Sequence, residues 1–157
     1  MDLIIGATAT LAILALAVIY GTDVVAAVVQ RPVYAEVDDR SLVQFTGRGH
    51  YYGDRRLPIV GIAGTVLTAA TAGLSLFWGT TVTGVASVVA LLLLLVWLTL
   101  FARISAPINK VLTAAALADE VPSNARALQA RWESIIPLRA VLLGVTILLL
   151  CSTILFG

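Results

Sequence analysis

The chain contains one cysteine, one histidine and one methionine in 157 residues. Cys151 alone excludes an intrachain disulfide and a cysteine metal cluster. His50 alone excludes a bis-histidine haem within one chain. Charge is scarce as well, at 12% of residues, against about 25% in an average soluble domain. The net charge of +1 supplies no concentrated basic surface, so no nucleic-acid partner is expected. Phosphate loops, dinucleotide fingerprints and nucleophile elbows are absent. Glu36, Asp38, Asp39, His50 and Asp54 offer metal-ligating groups but no paired ligand motif. No metal site and no cofactor are therefore expected.

What the chain has in abundance is oil. Hydrophobic residues make up 60% of it and the mean hydropathy is +1.01. A membrane-spanning helix needs about 20 predominantly apolar residues. Four segments meet or approach that length, at about 3–29, 57–78, 82–102 and 138–156. The first lacks a basic leader and runs on past Gly21, so it reads as a retained span and not a signal peptide. Pro58 suits the first turn of the second span. The expected fold is all-α and integral to a membrane: a single four-transmembrane-helix bundle, with helices 3 and 4 extended as a cytoplasmic helical hairpin.

All ten lysines and arginines fall in two connections or at their edges. Arg31, Arg40, Arg48, Arg55 and Arg56 lie between spans one and two; Arg103, Lys110, Arg126, Arg131 and Arg139 lie between or beside spans three and four. The positive-inside rule puts both connections in the cytoplasm and both termini outside, in a multi-pass protein of the inner (plasma) membrane. The first connection reads as a short surface helix over residues 32–44 with a Glu36–Arg40 ion pair, then a backbone loosened by Gly47, Gly49 and Gly53. In the second, Ser105 and Pro107 mark a break, Ser123 a helix N-cap and Pro137 a kink. Gly61, Thr65, Ala69 and Gly73 form a small-residue stripe suited to close helix packing.

Three groups carry candidate chemistry. Asp23 lies deep in the first span and needs a partner, for which Arg103 and Arg139 are the candidates. The pair reads either as a structural pin or as the floor of a polar pocket. His50 and Asp54 are four residues apart, so a helix would let the carboxylate orient an imidazole base. With Tyr51 and Tyr52 they read equally as a headgroup-level collar. Asn109, Trp132 and Arg139, with Tyr51, are the residues suited to hold a planar ligand by hydrogen bonding, stacking and charge. An anchored amphipathic helix end is the alternative.

The second half of the chain carries "APINKVL" and then "LQARWESIIPLRAVL". Over roughly residues 100–150 this is similar to the anthrone oxygenase-like integral membrane family, largely catalogued as a domain of unknown function. The matching positions are Pro107, Asn109, Arg131, Trp132 and Arg139; Pro137 and the long charged first connection depart from the pattern. The resemblance implies a cofactor-independent oxidoreductase acting on an aromatic or quinone-like small molecule at the cytoplasmic face. The alternative is a non-catalytic scaffold or accessory subunit, docking a protein partner through its hairpin or forming a homo-oligomer. The lipid bilayer is a partner on either reading.

Overall fold

A computed structural model describes all residues, Met1–Gly157, as an all-helical bundle. Its elements are α1 (Asp2–Val25), a π turn (Ala26–Gln30), α2 (Arg31–Glu36), α3 (Asp39–Trp78), α4 (Thr81–Leu100), a second π turn (Phe101–Ser105), α5 (Ala106–Ala118) and α6 (Ala125–Leu155). With the π turns and the short α2 and α5 included, four continuous rods result, each long and apolar enough to cross a membrane.

Each apolar segment falls within one of these rods, and the rods' outer faces are apolar. Leu3, Ile59, Phe77 and Leu148 are all more than 60% exposed. Such a girdle around a whole bundle far exceeds the apolar patches of soluble monomers. Inside the spans, Leu16, Leu94, Leu143 and Leu150 close a core with Ala12 and Ala90. Most hydroxyls within the bundle, Ser75 excepted, bond to their own helix: Thr68 donates to the Gly64 carbonyl at 2.7 Å and Ser87 to the Thr83 carbonyl at 2.7 Å. This leaves no unmet donor at those positions, as an apolar surrounding requires.

The first connection differs from expectation. The surface helix ends at Glu36, and a new helix starts at Asp39 after an extended step at Val37 and Asp38. Asp38 caps it, accepting from the Ser41 backbone N–H at 2.9 Å and from its hydroxyl at 2.6 Å. These bonds hold the Asp38 carboxyl below the usual carboxylate range. From there α3 runs unbroken for 40 residues, about 60 Å at the α-helical rise. It therefore projects well past an apolar layer of about 30 Å. Gly47, Gly49 and Gly53 do not loosen it, and Pro58 lies inside it, not in its first turn. Gly47 instead permits close packing: a Cβ there would stand 2.2 Å from the Leu112 carbonyl oxygen of α5.

That contact sets the polar end of the molecule. The polar half of α3 packs closely against α5, and α6 meets α5 through side chains such as Trp132 and Ile136, so three helices pack together at the extended end. Ile108, Leu112, Ala116 and Ile136 build a second core there with Val43 and Trp132. The Glu36–Arg40 pair is replaced by Arg40 on Asp119, which also receives Gln44 Nε2 at 2.9 Å. Arg126 clamps the α2–α3 step, donating to the Tyr34 carbonyl at 2.6 Å, to the Val37 carbonyl and to Asp39 Oδ1 at 2.7 Å. Asn124, not Ser123, occupies the N-cap of α6, and α6 continues through Pro137. The packed small-residue face of α3 is also a different one. Gly64, Thr68, Thr71, Ala72 and Ser75 are buried, whereas Gly61 and Gly73 have open space beside them.

Candidate functional site

Each π turn immediately precedes an α-helix whose second residue is a proline, Pro32 or Pro107. Proline has no N–H and its ring crowds the carbonyl four residues back, so the turn widens to hold one more residue. In both cases the N–H just before the proline bonds five residues back: Arg31 to Ala26, Ala106 to Phe101. The two widened turns follow Asp23 in α1 and Trp97 in α4, the residues that meet at the floor of the site.

There Asp23 and Arg139 form the deepest ion pair of the protein. Arg139 Nη2 donates to Asp23 Oδ1 at 2.8 Å, and both side chains are 5% exposed. Trp97 Nε1 donates to the other carboxylate oxygen at 2.9 Å, and Arg139 Nη1 donates to Ser105 Oγ at 2.6 Å. The guanidinium also lies 4.7 Å from the Trp97 ring centre and 5.5 Å from that of Phe101. Those two rings are parallel within 5° at 5.8 Å. A buried charge needs such company, because burial without partners is costly. Of the two cations considered for Asp23, Arg139 is the partner; Arg103 is exposed and takes no part.

Toward the polar end a second chain of bonds crosses three helices. Trp132 Nε1 donates to Asn109 Oδ1 at 2.9 Å, and Asn109 Nδ2 donates to Asp54 at 3.0 and 3.2 Å. Asp54 is therefore engaged by Asn109, and no hydrogen bond joins it to His50. The imidazole of His50 packs instead on Trp132, with ring centres 5.3 Å apart. Tyr51 stays outside: Arg55 covers its ring at 3.6 Å and Tyr52 meets it edge-on.

The two networks line one cavity of about 960 Å³, walled by α1, α3, α4, α5 and α6. His50, Asp54, Asn109, Trp132, Arg139 and Asp23 all border it; Tyr51 and Arg103 do not. Sequence reading missed Trp97, Phe101, Ser105 and Gln129. Trp97 and Phe101 look like ordinary span residues, and although Pro107 marks a break in the sequence, it does not by itself show which span residues face inward. Three buried polar atoms on cavity-lining side chains have no protein partner: His50 Nε2, Arg139 Nε and Gln129 Oε1. An unsatisfied buried polar atom costs about 1–3 kcal/mol, so three around one cavity are a notable concentration. No family model, curated protein or solved structure matches the chain. The likeness to anthrone oxygenase-like proteins thus rests on the short motifs between residues 100 and 150 alone.

Proposed function

We propose that this membrane protein binds a planar aromatic or quinone-like small molecule in the cavity and acts on it as an oxidoreductase. The observation that carries the reading is the trio of unpartnered atoms. Arg139 Nε–H wants an acceptor, Gln129 Oε1 wants a donor, and His50 Nε2 takes either according to its tautomer. Gln129 and Arg139 are ten residues apart on α6, about 15 Å along the helix, so a ligand with polar groups at separate positions, such as a hydroxylated or quinone-like ring system, suits the trio. The Trp97, Phe101 and Trp132 rings on the same walls suit a flat, apolar body.

In the reaction that the resemblance implies, His50 with its proton on Nδ1 accepts a proton at Nε2 from an acidic ring methylene or phenol. The C–H or O–H bond breaks, an N–H bond forms, and the electron pair stays in the ring system as an enolate or phenolate. Arg139 stabilises that anion. Dioxygen is the oxidant. An anthrone methylene becomes a carbonyl, the second oxygen atom leaves as water, and the stoichiometry is anthrone plus O2 giving anthraquinone plus H2O. Asn109 and Asp54 are positioning residues on this reading, since they fix the Trp132 indole beside His50.

Native mass spectrometry of protein gently extracted from its own membrane, with an absorption spectrum alongside, tests the binding. The expected result is a retained small molecule absorbing beyond the tryptophan band. Protein that is consistently empty, or that carries phospholipid alone, would overturn the reading.

We propose further that the polar end faces the cytoplasm of a cell whose plasma membrane holds the four spans. The support is that all ten basic residues lie toward that end of the rods. With Cys151 replaced by serine, a cysteine at exposed Lys110 should react with a membrane-impermeant maleimide in inverted vesicles and not in intact cells. The opposite pattern would reverse the orientation.

A further inference from the structure

Helices α1 and α3 touch at one end and part at the other. Near the chain termini they are in close contact. Thr71 Oγ1 donates to Thr8 Oγ1 at 3.1 Å, and a Cβ on Gly64 would come within 2.7 Å of Leu16. Immediately beyond, from Ala17 on α1 and Ile62 on α3, the cavity takes up the space between them. Its margins there are half in the open: Val18 and Val25 are each 46% exposed and Ile62 is 64% exposed, yet all three also line the cavity. The cavity therefore opens sideways, through a slot between two membrane helices. Val18, Val25 and Ile62 all belong to the apolar spans, so the slot meets hydrocarbon and not water.

The slot is also narrow-walled. Gly21 and Gly61 border it from the two helices, and neither has any heavy atom within 4 Å of where a Cβ would stand. From Ile62 to His50 along α3 is 12 residues, about 18 Å of helix. The α3 wall of that stretch is apolar over Ile62, Gly61, Pro58 and Leu57 and becomes polar at Asp54, so the passage leads from the lipid to the polar groups of the site.

Building on the small-molecule reading above, we infer that the ligand is a tailed amphiphile dissolved in the bilayer. It passes sideways between α1 and α3, its ring and polar groups reach His50, Trp132 and Arg139, and its hydrocarbon tail remains in the slot. Moving a tail from lipid into an apolar slot gains little, since acyl chains are as apolar as leucine side chains. The slot therefore governs access more than affinity. A ring without a tail has a second way in, past the exposed Asp54 and Gly49 at the polar rim of the cavity.

The test uses the full chain in lipid nanodiscs, with a decyl-tailed benzoquinone and its tail-less parent ring as probes. Stopped-flow quenching of Trp97 and Trp132 reports arrival. A Trp78→Phe background removes the signal of the 57% exposed tryptophan at the other end of α3. Gly21→Leu combined with Gly61→Leu fills the slot where the structure has open space, so the fold is expected to survive. A thermal melt of each variant checks that it does. The expected result is association of the tailed probe slowed about tenfold or more, with the tail-less probe changed less than about threefold. If filling the slot leaves the tailed probe unaffected, or slows both alike, sideways passage is wrong while the binding site stands. If neither quinone gives saturable quenching even in the unplugged protein, the site reading itself falls, and this inference with it.

Discussion

Asp23→Ala is expected to lower stability by about 3–5 kcal/mol, the cost of leaving one partner of a buried ion pair without the other. The change strands the Arg139 guanidinium, 5% exposed, among Trp97, Phe101 and Ser105. It also leaves the Trp97 indole N–H without its acceptor. The lost partner is not the whole cause, because most of the penalty is the orphaned charge. Asp23→Ala combined with Arg139→Leu should accordingly recover a large part of the loss, although each substitution alone is damaging. Unfolding in mixed micelles, followed for wild type, both single variants and the double variant, measures the coupling directly. A double variant no more stable than Asp23→Ala would show that the pair is not the pin between α1 and α6.

If the proposed oxidoreductase function holds, His50→Ala is expected to slow oxidation of anthrone to anthraquinone by about 10²–10⁴-fold, the usual contribution of a positioned general base. The measurement is oxygen-dependent turnover by protein reconstituted in liposomes, corrected for the spontaneous reaction. Stability should change little by comparison, since the imidazole makes no hydrogen bond that its removal would break at Nε2. Asp54→Asn separates two versions of the mechanism. The structure has Asp54 bonded to Asn109 and not to His50, so its replacement should affect turnover far less than loss of His50. Equal rates for wild type and His50→Ala would remove His50 from the chemistry.

The fold was legible because lipid imposes a simple rule. Uninterrupted apolar stretches need no long-range information, and the clustering of ten basic residues at two connections marks one end of the bundle. Asp23 and Arg139 were legible as a pair for the same reason: a carboxylate in a span must find a cation, and few are near. Local glycine and proline chemistry misled. Gly47 reads as a loosened backbone and Pro58 as the start of a helix, but packing on Leu112 and the unbroken length of α3 override both. The stripe from Gly61 to Gly73 has the right spacing, yet an equally small face at Gly64, Thr68 and Ala72 lies beside it and is the one that packs. Spacing alone does not choose between adjacent faces. The His50–Asp54 relation failed in a similar way, because four residues on a helix give proximity, and Asn109 from a distant helix took the carboxylate.

The second π turn works as a phase corrector for the site. At about 100° per residue, an unbroken α-helix would put Asn109 roughly 120° around from Trp97, and Ser105 roughly 80° around. One extra residue absorbed in a widened turn takes back about 100°, and both then fall within roughly 20° of Trp97. A tryptophan, a serine and an asparagine that helical arithmetic would scatter are thereby collected on one wall, beside Arg139 and Trp132. That wall of the site is thus assembled by one extra residue in the helix, and counting at 3.6 residues per turn does not bring Trp97, Ser105 and Asn109 together.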